Sequence, residues 1–235
     1  MMKSVLGKWT LATLLTFGLA AVASAQLAPG SQFEAGKHYR VIDPAQPTSD
    51  AGSVEVVEVF GYPCPHCANF QPHIEPWVEG KPERVTFSRV PVVFQRSWDP
   101  LARAYYTAEV LGVLDQTHKA TFRALHQQRR PLRNNQDLAK FFSEFGVAEA
   151  DYLKTAESFS VETQMRKGAT LTRRWGVTGT PSVVINGKYL ITGSMAGSYE
   201  RMLQIIDYLV GQEIAQLPAA DAPVEEVAEE AASSE

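Results

Sequence analysis

Cysteine is scarce in this 235-residue chain: there are two, Cys64 and Cys67, three positions apart. That scarcity excludes a small scaffold held by several bridges and a four-cysteine zinc site. An excess of positive charge is also missing. The formal net charge is −4. Lys3 and Lys8 stand at one end, and residues 216–235 carry acids but no base. The stretch between is balanced at 20 basic and 20 acidic residues. A neutral body gives no electrostatic case for nucleic-acid binding. Long apolar runs are absent after the first 25 residues, and no internal repeat is visible. At 45% hydrophobic and 20% charged residues, the composition excludes a disordered chain and a multi-span membrane protein. The length allows one domain or two small ones.

The N-terminus reads as an address. Lys3 and Lys8 form a short basic start, Leu11 to Ala23 is apolar, and Ala23-Ser24-Ala25 fits a small-x-small cleavage site. A membrane anchor is the alternative. Trp9 to Ala25 is only 17 residues, however, and a span needs about 20 apolar ones. A cleaved signal peptide over 1–25 is therefore expected, with a mature chain from Gln26 in an oxidising compartment.

Strand and helix signals follow in order. One short edge strand is expected around His38–Ile42. Val54 to Phe60 is rich in β-branched residues and reads as a strand. Cys64 to about Glu79 reads as a helix with Pro65 at its first position, and Pro72 and Pro76 predict a kink or an early end. Val85 to Val90 is a second strand. Asp99 is expected to cap a helix with Pro100 at N1, in which Leu101, Ala104, Tyr105, Ala108 and Leu111 share a face up to Gly112. Helices near Asp115–Gln128, after a capping Asn135, near Ala148–Ala156 and near Ser160–Trp175 complete a helical block. The Leu138, Phe141, Phe142, Phe145 stripe is core packing. Strand character returns at Ser182–Ile185 and Lys188–Thr192, joined by the Asn186-Gly187 hairpin turn. Ser198 caps a last helix. Gln216 to Glu235 has no aromatic residue and predicts a disordered acidic tail. The whole reads as a mixed α/β domain: a sheet part over 26–97, a helical insertion over 98–175, a second sheet part over 176–215, and a tail over 216–235.

Cys64-Pro65-His66-Cys67 carries the chemistry, because it follows a strand and opens a helix. A zinc site wants four ligands, and His38, His73, His118 and His126 lack ligand spacing. A structural bridge over so tiny a loop removes little unfolded-state entropy. Redox chemistry is the best use of the pair. Cys64 sits where free N–H groups and the positive end of the helix dipole favour an anion, so it is the low-pKa, attackable sulfur. Protonated His66 would add positive charge beside it. Cys67 lies one turn inside and is less accessible. Stabilising the Cys64 thiolate stabilises the reduced form and makes the disulfide a stronger oxidant.

Glu58-Val59-Phe60-Gly61-Tyr62-Pro63-Cys64-Pro65-His66-Cys67 resembles the active-site segment of the DsbA-type periplasmic thiol:disulfide oxidoreductases. Phe33 to Tyr39 is similar to their N-terminal segment. Gly176 to Pro181, followed by Val184 to Tyr189, is similar to their second active-site loop and hairpin. The resemblance runs from about Phe33 to Gly211. It implies a thioredoxin fold with an inserted all-helical domain, and a Cys64–Cys67 disulfide donated to reduced exported proteins. It further implies re-oxidation by a DsbB-type quinone-linked membrane partner, a periplasmic monomer, no cofactor and no metal. By the same resemblance Pro181 is cis, Thr180 presents its backbone to Cys64 and to a substrate strand, and Glu58 is a buried acid that takes the Cys67 proton. Strand alternation independently puts Glu58 on the face of Val56 and Phe60.

Thr180 departs from the pattern: the DsbA enzymes commonly carry Val there, and the related disulfide isomerases often carry Thr. The isomerases also carry a separate N-terminal dimerisation domain, for which the 28 residues between Gln26 and Val54 are too few. An oxidase is favoured over a reductase or isomerase. A Cu(I)- or zinc-binding protein using both thiolates is the alternative from another class.

Overall fold

The computed structural model describes residues 32–218. Five strands form one sheet: β1 (Arg40–Val41), β2 (Val54–Phe60), β3 (Val85–Pro91), β4 (Ser182–Ile185) and β5 (Tyr189–Thr192), in the order β1-β5-β4-β2-β3. β2 runs parallel to β3 and antiparallel to β4, and β4 and β5 form an antiparallel hairpin. The parallel pair is joined by α1 (Pro65–Gly80), as a parallel crossover requires. Between β3 and β4 stand α2 (Asp99–Val110), α3 (Leu114–His126), α4 (Asn135–Ser143), α5 (Glu149–Ala156) and α6 (Phe159–Arg174). After β5 come the short α7 (Gly193–Ala196) and α8 (Tyr199–Ile214).

Pleat alternation distributes the core. Val54 and Val56 of β2 pack with Phe70 and Ile74 of α1 and with Met202, Ile205, Ile206 and Leu209 of α8. Val57 and Val59 point the other way, onto Val90, Val184, Leu190 and Trp175. A third cluster fills the helical insertion around Leu138, Phe142 and Tyr152, and it includes Phe60, Tyr62, Cys64 and Cys67. The helical block is therefore packed directly onto the sulfur-bearing turn.

The Asn186-Gly187 turn is present, with φ of 49° and 63°. Both central residues of a type I′ turn need positive φ. A Cβ at Gly187 would also strike the Gln46 carbonyl. Ser198 caps α8 as expected, accepting from the Arg201 N–H at 3.1 Å.

Several expectations change in detail. Pro72 and Pro76 do not end α1, which continues to Gly80. Both are exposed and four residues apart, so the two missing N–H donors fall on one outer face of the helix. Asp99 lies inside α2 rather than capping it, because the 3₁₀ turn Arg96–Trp98 leads straight into the helix. The cap of α4 is Asn134, which accepts from the Asp137 N–H at 2.9 Å, and Asn135 is already helical. The edge strand shrinks to two residues. The proposed tail starts too early at 216: Leu217 packs against the α8 side of the core, and Arg84 Nη2 donates to the Pro218 carbonyl at 2.8 Å. The expected signal peptide and the rest of the tail lie outside the described residues.

Candidate active site

β2 delivers the chain to the site through Gly61, where a Cβ would strike the Trp98 ring. Cys64 is the N-cap of α1, and Pro65 takes N1, where a missing N–H costs nothing. Cys64 Sγ accepts from the Cys67 N–H at 3.4 Å. Both cysteines are thiols, Cys64 with 6% of its surface exposed and Cys67 with none. The Thr180–Pro181 peptide is cis, and the Thr180 carbonyl oxygen lies 3.5 Å from Cys64 Sγ. A groove of about 640 Å³ opens beside the pair, lined by His66, Thr180, Pro181, Ser194 and Tyr199 among others.

The two sulfurs have opposite electrostatics. The Cys64 thiol is held down at about 5, first by the hydrogen bond from the Cys67 side chain, against the cost of burial. The Thr180 side chain and the backbone N–H groups of Cys67 and His66 add to it. His66 thus serves the thiolate through its main chain, while its side chain is exposed. Burial pushes Cys67 far up, and the Cys64 sulfur adds to that rise. One sulfur is stable as an anion, and the other is stable only when protonated or bonded.

Glu58 is fully buried on β2, and it is not alone. The parallel register sets it beside Arg89 of β3, whose Nε donates to Glu58 Oε2 at 2.8 Å. Arg89 also donates to Glu75 at 2.7 Å, and Glu75 pairs with Lys119 at 2.9 Å. Gln71 Nε2 donates to Glu58 Oε1 at 3.1 Å. The Gln71 oxygen lies 3.1 Å from His118 Nε2, and His118 Nδ1 lies 2.9 Å from the Tyr62 hydroxyl. An amide oxygen only accepts, so this neutral His118 carries its proton on Nε2 and accepts the Tyr62 hydroxyl proton at Nδ1. Burial, with Arg89 and Lys119 nearby, keeps the imidazole neutral by pushing its pKa well down. Burial raises the Glu58 carboxyl, and Arg89 opposes that rise. His126 Nε2 is 2.7 Å from the Tyr62 carbonyl, two residues before Cys64.

Sequence reasoning found Glu58 but not Arg89, Gln71, His118 or Tyr62 around it. Two signals were available. Gln71 is one helical turn beyond Cys67, on the same face. Arg89 is the single charged residue of the strand Val85–Pro91. From the sequence, His118 stands out only as a distant candidate metal ligand. Among the described residues, no cluster of three or more His, Cys, Asp or Glu side chains is arranged to hold a metal ion.

Residues 79–204 match the model of the DSBA-like thioredoxin domain. The thiol:disulfide interchange protein DsbA of Pseudomonas syringae pv. tomato is 37% identical over 204 residues, covering 87% of this chain and 92% of that protein. The chain belongs to the DsbA family. Azotobacter vinelandii DsbA is 36% identical over 213 residues, covering 91% of this chain and 98% of its own. The crystal structure of Pseudomonas aeruginosa DsbA superposes with a TM-score of 0.76 at 37% identity, covering 80% of this chain and 97% of that one. The oxidoreductase DsbA of Xylella fastidiosa gives a TM-score of 0.73 at 36% identity. The fold is thus the thioredoxin-like fold of DsbA, and the protein is a thiol:disulfide oxidoreductase of this family.

Proposed function

We propose that this DsbA-family protein works as an oxidase, donating a Cys64–Cys67 disulfide to reduced exported proteins. The observation that carries the direction is the asymmetry of the sulfurs: an anion-stabilised Cys64 beside a deeply buried Cys67 favours the reduced dithiol. A substrate thiolate attacks Cys64 Sγ, the Cys64–Cys67 bond breaks, and Cys67 leaves and takes a proton. A second substrate thiolate then attacks the substrate sulfur of the mixed disulfide, and Cys64 leaves as a thiolate. Two electrons have passed to the protein. A DsbB-type quinone-linked membrane partner takes them in turn.

In this reading Cys64 and Cys67 are the catalytic pair, and Pro65 and His66 shape the turn that holds the thiolate. Glu58 exchanges the Cys67 proton, with Gln71 and Arg89 holding its carboxyl. Thr180 and Pro181 receive an extended substrate segment along the groove. Residues 1–25 direct the chain to the periplasm and are removed. The sheet parts 26–97 and 176–215 carry the redox turn, the helices of 98–175 brace it, and the protein works as a monomer without cofactor or metal.

Equilibration of the purified protein with glutathione buffers tests the direction. The expected potential is well above the thioredoxin value of about −270 mV. A value near the thioredoxin one would overturn the oxidase reading in favour of a reductase. Metal bound stoichiometrically after purification under reducing conditions would favour the Cu(I)- or zinc-binding alternative.

A further inference from the structure

The peptide unit between His66 and Cys67 is engaged at both ends. Its N–H, on Cys67, donates to Cys64 Sγ at 3.4 Å. Its carbonyl, on His66, accepts from the Tyr199 hydroxyl at 3.0 Å. Tyr199 is the first residue of α8, 133 positions later, and its place follows from the Ser198 cap. The ring is seated by packing: it lies 5.4 Å from Phe70 and 5.2 Å from His73, centroid to centroid. A carbonyl has two lone pairs, so this bond adds to the helix's own i→i−4 ladder and does not compete with it.

We infer that Tyr199 is a positioning residue that tunes the Cys64 thiolate from a distance, through the His66–Cys67 peptide. A donor on the carbonyl oxygen polarises the amide and makes its N–H a stronger donor. Hydrogen bonds in series reinforce one another by roughly 10–30% per bond. The acceptor at the far end is an anion, where each donor counts most. The hydroxyl also fixes the orientation of the peptide, so the N–H stays aimed at the sulfur. Neither function needs Tyr199 to touch a substrate. The same ring lines the groove beside the cysteines. Substrate contact and thiolate tuning therefore have to be separated by the test.

The groups facing this assembly are few. Cys67 and the His66 and Cys67 N–H groups come from α1, the Thr180 side chain from the loop before β4, and Tyr199 from α8. His73 and Glu200 stand at the outer edge of the ring, 3.6 Å apart. Tyr199→Phe alters none of them and removes a single oxygen.

The inference deepens the oxidase reading but is decided by the difference between two proteins, not by the absolute potential. Thiolate absorbance of the reduced protein, titrated with pH, is the first measurement. Tyr199→Phe should raise the Cys64 pKa by roughly 0.3 unit, about a twofold change in ionisation. The equilibrium with glutathione at pH 7 should shift about twofold toward the disulfide, which for a two-electron couple is about 9 mV more negative. Below the Cys64 pKa the two proteins should converge, because a protonated sulfur gains nothing from a stronger donor. Tyr199→Leu, which also removes the ring, should show the same shift or a larger one. An unchanged titration in Tyr199→Phe overturns the inference. So does a shift seen only in Tyr199→Leu, since that would make the ring and not the hydroxyl responsible. A thioredoxin-like wild-type potential would sink the oxidase reading, while the comparison of variants would still decide the role of Tyr199.

Discussion

The two sulfurs of one turn live in regions built by different means. Cys64 is served by its own neighbourhood in the chain: the helix it caps, the N–H groups of the first turn and the side chain three residues on. The Thr180 loop and Tyr199 add polar contacts from afar. The carboxyl proposed for Cys67 is served by the opposite kind of construction. Glu58 depends on Arg89 from β3, Gln71 from α1 and, through Gln71, His118 from the helical insertion. Local geometry is enough to stabilise an anion at a helix end, where the donors are supplied by the backbone. Keeping a carboxyl inside a core takes side chains from several elements, because burial without partners is too costly. The helical insertion therefore reaches Glu58 through a hydrogen-bond chain, as well as packing onto the sulfur-bearing turn.

The largest expected effect breaks the symmetry of the pair outright. Cys64→Ser should abolish disulfide donation. Cys67→Ser cannot carry the donated disulfide, and mixed disulfides that its Cys64 forms with partner disulfides should accumulate, visible by mass spectrometry, since the attack of Cys67 that would release them is gone. Capture by Cys67 with Cys64 removed would reverse the assignment.

Arg89→Met tests the second region. It leaves Glu58 buried without its cation, and breaking a buried pair from one side costs about 3–5 kcal/mol. Denaturant unfolding at pH 7 should register that loss, and lowering the pH should recover part of it as Glu58 becomes neutral. A loss below about 1 kcal/mol would mean that Gln71 alone suffices.

The first region predicts its own pH signature. The folded Cys64 thiol titrates near 5, against a reference value of 9.0. Between those values the unfolded dithiol holds a proton that the folded one has released. The stability of the reduced protein should therefore rise with pH from about 5 to about 9, and be lost as pH falls through 5. The oxidised protein should lack this slope, and melting both forms across that range checks it.

Glu58→Gln should slow the attack of Cys67 on a mixed disulfide at Cys64, by about 100-fold if proton transfer limits that step. The Cys64 titration should hardly move. The raised Glu58 carboxyl costs wild-type stability as pH climbs through its folded value, so the variant should lose less stability over that range. An unchanged pH–rate profile would reduce Glu58 to a structural residue. The smallest effect concerns the chain end: Leu217→Ala should cost about 1 kcal/mol, since the side chain is only partly buried against the α8 side of the core.

Much of this was legible before folding was considered. β-branched runs marked β2 and β4, Asn186-Gly187 marked the hairpin, and Ser198 marked the start of α8, because each is a short-range preference of the backbone. The Cys-Pro-His-Cys turn was legible for the same reason. The helix ends were less so. Asn134 and Asn135 are equal candidates by composition, and the approach of the chain chooses between them. Pro72 and Pro76 show that a breaker can be accommodated on the exposed face of a helix.

What the sequence determined alone is the local setting of the Cys64 sulfur: a cysteine at the cap of a helix, with proline at N1 and a second thiol one turn in, whose donors come with the backbone itself. What only the tertiary structure decided is the company kept by Glu58 and by the His66 carbonyl. Parallel strand register set Arg89 opposite Glu58, helix packing brought His118 to Gln71, and the start of α8 brought Tyr199 to the active-site turn. Those partners lie 31, 47 and 133 positions apart, so no local pattern records them. They meet because burying the apolar faces of the sheet and helices brings these polar groups within hydrogen-bonding reach of one another.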